Sequence, residues 1–110
     1  MKLYITRTAI LALVLVVGTS CFRQDRRTIT VRTPQVRSED CLLLVQNATK
    51  AVDGIELVQK GTEEGTVDVT YNAIKLGIRN IEFVIAGAGF DANDTKAPQS
   101  VRESLPEGCR

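Results

Sequence analysis

The chain has 110 residues, room for one domain, with 14 basic and 13 acidic residues for a net charge of +1, and three cysteines. It has no histidine and no tryptophan, which excludes imidazole catalysis and imidazole metal ligation. Residues 1 to 20 hold two of the basic residues and none of the acidic ones, so the rest of the chain carries a net charge of −1, a balance that does not attract nucleic acid.

In chain order, Lys2 and Arg7 precede the apolar run AILALVLVVG, Ala9 to Gly18. The run is short for a membrane span, and residues 1–20 read as an export signal. Ser20 before Cys21 resembles the lipobox of bacterial lipoproteins, although Gly18 stands where that pattern usually has leucine. The resemblance implies a lipid anchor at Cys21 and a place in the cell envelope, in the periplasm or on its membrane; the alternative is ordinary secretion with cleavage near Gly18 or Ser20. Residues 21–27 read as a linker. The five arginines between residues 22 and 37 have no interleaved aromatic beyond Phe22, so they suit a solvated, membrane-proximal arm rather than a nucleic-acid patch.

TITVRT, Thr28 to Thr33, alternates as a half-buried strand that Pro34 ends. Ser38 is a good helix N-cap, with Glu39 and Asp40 at the positive end of the helix dipole. Cys41, Leu42, Val45, Ala48 and Val52 form the apolar stripe of that helix, which stops at Asp53-Gly54. IELVQK, with Ile55, Leu57 and also Val58 as candidates to face inward, and TVDVTY, with Val67, Val69 and Tyr71 inward, form a hairpin closed at Thr62 to Gly65. Ile78, Ile81, Phe83, Val84, Ile85 and Ala88 mark a second helix over 76–88, ended by Gly89. A short strand is expected at Phe90 to Asn93, then a turn or two of helix from Pro98 to Ser104.

The order predicts an α+β, ferredoxin-like βαββαβ fold: a four-stranded antiparallel sheet with two helices on one face. Its other face would be wet, since Thr28, Thr30, Arg32, Glu56, Thr66, Asp68 and Thr70 point there.

These landmarks resemble the heavy-metal-associated domain family over residues 28–94, leaving 95–110 as a C-terminal tail. The register rests on TITV, the helix after it, Gly54-Ile55, TVDVTY, Ile81, Ile85 and Ala88-Gly89-Phe90-Asp91. The family includes copper chaperones and periplasmic mercury-binding proteins, and its site motif is M-x-C-x-x-C. That motif lies over Val36 to Cys41: Val36 replaces the buried methionine, Ser38 the first cysteine, and Cys41 matches the second. LPEGC is similar to an LPxCC ending of some exported members, with Gly108 for the first of those cysteines. The resemblance also implies that Phe90 shields the metal loop.

Two thiolates suit soft ions such as Cu(I), and a serine hydroxyl, hard and neutral, does not replace one. The second ligand must then come from elsewhere; its return being geometrically possible but not fixed by the sequence, Cys109 is the conditional candidate. Sixteen residue steps separate it from Asn93, and they reach well over about 30 Å even with helical turns. Meeting, the two would form a disulfide in an oxidising compartment or a two-thiol site under reduction.

The leading expectation is therefore soft-metal handling at the envelope, with Cys41 as ligand, Cys109 as second ligand and a metal-transport protein as partner. Its rivals are an interaction module that kept the fold and lost the site, with Cys41 a packing residue, and a dimer joined through Cys41 or Cys109. No nucleophile–base pair can be assembled from these residues, so an enzyme is not expected.

Overall fold

Alternation and helical periodicity place most elements correctly. In the computed structural model, which describes residues 24–110, β1 is Arg26–Arg32, α1 Glu39–Lys50, β2 Ile55–Lys60, β3 Thr66–Asn72, α2 Ile78–Gly87 and α3 Gln99–Glu103, with a 3-10 turn at Glu107–Cys109. The expected export signal at residues 1–20, with Cys21, Phe22 and Arg23, lies outside the described residues. The expected linker gives way to strand early. Arg26 and Arg27 already stand opposite Asn72 and Tyr71, their charges met by Glu56 and Asp25.

The sheet order is β1-β3-β2, antiparallel throughout, with β3 in the centre. Val31 faces Val67 across β1 and β3, Ile29 faces Val69, and Val58 of β2 meets Val69 from the other side. These valines and Tyr71 share one apolar core with Cys41 and Val45 of α1, Ile81 and Ile85 of α2, and Phe90. On the opposite face Thr28 and Thr70 hydroxyls lie 2.9 Å apart and the Thr30 hydroxyl donates to Asp68 at 2.8 Å, the polar cross-strand pairs that face water.

Four expectations are corrected. β2 carries a bulge: Ile55 stands opposite Tyr71 but Leu57 opposite Thr70, so Glu56 is the extra residue and the strand's facing reverses after it. Leu57 is consequently 48% exposed while Val58 is the buried residue. Thr66 is not wet but buried, its hydroxyl donating to the Glu63 carbonyl at 2.6 Å and closing on Gly61, where a Cβ would come within 2.0 Å of that oxygen. In α2 the core takes Ile81, Glu82, Ile85 and Ala86, and Phe83 and Ile78 are exposed. Among the described residues the fold has three strands and, in place of the fourth, one crossing. Asn93 donates its N–H to the Arg32 carbonyl and accepts the Arg32 N–H on its side chain, both at 2.9 Å. Asn93 then turns left-handed, at φ 53°, and Ala92 and Thr95 bond each other in a tight turn. A strand cannot continue through that turn, so the chain stays at the end of the sheet where α1 begins. The ferredoxin-like arrangement is retained: the hairpin and both helices close one core.

Candidate metal centre

The head of α1 is built by local chemistry. Thr33 donates its N–H to the Gly65 carbonyl at 2.7 Å and accepts that of Val36 at 3.0 Å, folding the loop so that Val36 is buried in the core. Ser38 then caps α1 from an extended conformation, its hydroxyl accepting the Cys41 N–H at 3.4 Å. Cys41 is the third residue of the helix, its sulfur 3.2 Å from the Ser38 oxygen.

The tail supplies a second sulfur. Cys41 and Cys109 are joined by a disulfide with their Cα atoms 5.6 Å apart, and the Gly108 carbonyl oxygen is 3.5 Å from the Cys41 sulfur. Cys41 is fully buried and Cys109 is 3% exposed. The bond takes both sulfurs out of a dimer joined through either. Phe90, fully buried, belongs to the same core cluster as the two cysteines. Ser38 stands beside Cys41 as its helix cap, Val36 is buried in the same core cluster as Phe90 and the two cysteines, and Cys21 is not described.

Residues that sequence reasoning passed over hold the tail in place. Asp91 accepts the Ala97 N–H at 2.9 Å, pairs with the Arg102 guanidinium of α3, and lies 3.7 Å from the Lys96 ammonium; its own N–H donates to Gln35 at 3.1 Å. Burial pushes the Asp91 carboxyl up, but the Ala97 N–H, the Gln35 side chain and Arg102 outweigh it and hold the group below its ordinary value. Gly89 is the second hold. Its φ is +105°, and a Cβ there would meet Leu105 at 2.7 Å and the Val101 carbonyl at 3.2 Å, so only glycine lets the tail close over the end of α2. Arg110 donates to the Leu105 carbonyl at 2.8 Å beyond the disulfide. The sole hint of these contacts in the sequence is Gly89, and there it reads as a helix stop.

Joined as a disulfide, the two sulfurs are not thiolates, and among the described residues no group of three or more His, Cys, Asp or Glu is placed together for a metal. No protein-family model matches the chain. It is 27% identical over 62 residues to the copper chaperone CopZ of Bacillus subtilis, covering 56% of this chain and 90% of that one. Among solved structures, a candidate copper-ion-binding protein from Bacillus anthracis superposes with a TM-score of 0.57 at 24% identity, over 64% of this chain and all of that one. Oxidised MerP from Ralstonia metallidurans CH34 superposes with a TM-score of 0.56 at 23% identity, over 63% of this chain and 96% of that one. The strand–helix–hairpin–helix order and these likenesses together show a fold like that of the heavy-metal-associated domains.

Proposed function

We propose that the protein handles a soft monovalent metal ion, Cu(I) or one of like chemistry, in the cell envelope, and that Cys41 and Cys109 are its two ligands. The observation that carries this reading is the return of the tail: it brings a second sulfur to bonding distance of Cys41, opposite the place where Ser38 stands for a site cysteine. The disulfide is the closed form. A dithiol opens it, itself becoming a disulfide and delivering two electrons and two protons, and the metal ion then displaces the two thiol protons. The ion is cargo, passed on by ligand exchange to a metal-transport protein that docks on the first loop.

A disulfide of this kind belongs to an oxidising compartment, which supports reading residues 1–20 as an export signal and Cys21 as a lipid anchor. The burial of both sulfurs favours a second reading, in which the bond is a permanent staple of a protein-interaction module. A competition titration separates the two. The reduced chain is set against a chromophoric Cu(I) chelator, beside Cys41→Ser and Cys109→Ser. The metal reading expects binding in the wild type and its loss in both variants; equal behaviour of all three overturns it in favour of the staple.

A further inference from the structure

The two ends of the sheet differ in what they carry. β1 starts at Arg26 opposite Asn72 and ends at Arg32 opposite Thr66, and its 7 residues part the two ends by roughly 20 Å. Thr33 and Gly65 bond each other at the Arg32 end, where the head of α1 and the Cys41–Cys109 pair also lie. At the other end the chain comes in. There the Asp25 carbonyl accepts the Ala73 N–H at 2.7 Å, and the Asn72 side-chain oxygen accepts the N–H groups of Asp25 at 3.4 Å and Ile74 at 3.1 Å. Asn72 is buried, so these bonds hold Ile74 beside the incoming strand.

Apolar side chains are exposed at this end. Ile74 is 61% exposed, and Ile78, in the first turn of α2, is 48% exposed. The charges around them do not balance. Asp25, Asp53 and Glu56 are met by Arg27, Lys75 and Arg26, while Lys50 and Arg79, both exposed, enter none of the ion pairs among the described residues. Lys50, Lys75 and Gln24 line one open hollow, which puts that surplus charge on the side where the chain arrives.

We propose that this end of the fold lies on an anionic lipid surface, with Ile74 and Ile78 among the headgroups and Lys50 and Arg79 against their phosphates, so that the Cys41–Cys109 end points away from the membrane. This orientation rests on the reading of Cys21 as a lipid anchor. Cys21 precedes Asp25 by four residues, at most about 14 Å of extended chain, so an anchor there brings this end, rather than the far one, to the surface. Exposed apolar side chains flanked by cations match an interface that is apolar within and negative at its headgroups. Cargo held at the far end stays open to a partner while the domain stays anchored.

The chain holds no tryptophan, so a single one reports its own surroundings. Ile74→Trp and Ile78→Trp place it at the proposed contact. Leu43→Trp, in α1 at the Cys41 end and at a side chain 52% exposed, places it at the far one. Full chains bearing each substitution, purified from a bacterial membrane fraction, are reconstituted in vesicles of equal parts phosphatidylcholine and phosphatidylglycerol with brominated acyl chains. Flotation reports the anchor, and quenching reports the contact. All three chains should float, with emission blue-shifted and quenched for Ile74→Trp and Ile78→Trp and unchanged for Leu43→Trp. Adding Lys50→Glu with Arg79→Glu should weaken the quenching. Chains that float with all three tryptophans unquenched overturn the proposed contact and leave the anchor standing. Chains that do not float overturn both. Equal quenching at the two ends also overturns the contact, as does quenching that the two charge reversals leave unchanged. So does a blue shift without quenching that grows with protein concentration, which would mean that a second copy covers the isoleucines. Should one isoleucine variant not fold, the other decides.

Discussion

Asp91 and Gly89 decide where the last third of the chain goes. Asp91 is buried, yet its carboxylate is favoured by the Ala97 N–H, the Gln35 side chain and Arg102, so its pKa is lowered on folding. A depressed carboxyl contributes stability that is complete above its unfolded value, about 3.9, and is lost as pH falls below that toward the folded value. Urea midpoints measured from pH 7 down to pH 2 should therefore fall below about pH 4. Asp91→Asn should be less stable at pH 7 by roughly 1–3 kcal/mol, because it leaves Arg102 without its partner, and should show a smaller fall in acid. Gly89→Ala faces both a left-handed backbone and the Leu105 side chain, and should cost about 1–3 kcal/mol in the same assay. Neither residue was legible as a tail hold. A glycine after a helix and an aspartate after an aromatic look alike whether or not a distant segment packs on them.

The elements were legible wherever one periodicity ran unbroken. Residues 38–53 carry a cap, first-turn acids and one apolar stripe, and α1 is there; Ser38→Ala should lower stability by about 1 kcal/mol through the lost cap. β2 shows where alternation fails, since a bulge adds one residue and reverses the facing of all that follow, and IELV is apolar on both sides of it. The consequence is measurable. Val58→Ala should cost roughly 2 kcal/mol and Leu57→Thr less than about 0.5, the opposite of what strict alternation from Ile55 implies. Equal costs in chemical denaturation would remove the bulge from the account. Phe83 and Ile78 misled for a related reason: an apolar residue on a helix marks the core only when its neighbours four positions away agree, as Ile81 and Ile85 do.

At the scale of the whole molecule, the fold was readable from the order of the elements, but the path of the tail was not. Length alone allowed Cys109 to reach Cys41, and a full fourth strand would have released the chain at the far end of the sheet. The left-handed turn at Asn93 shortens the return, and a turn of that kind has no signature beyond an asparagine among polar residues. The resulting disulfide spans a sequence separation of 68. Closing a loop of that size restricts the unfolded chain by about 4 kcal/mol, so Cys109→Ala should unfold at clearly lower denaturant than the oxidised wild type and close to the reduced one.

In the proposed metal site Cys109 provides the sulfur that Ser38 does not. X-ray absorption at the copper edge, on the reduced chain loaded with one equivalent of Cu(I), counts the sulfur neighbours of the metal. Two sulfurs are expected in the wild type and fewer in Cys109→Ser, with Cys21 present in both. An unchanged sulfur count in Cys109→Ser, or a wild type that takes up no copper once its disulfide is open, would contradict it.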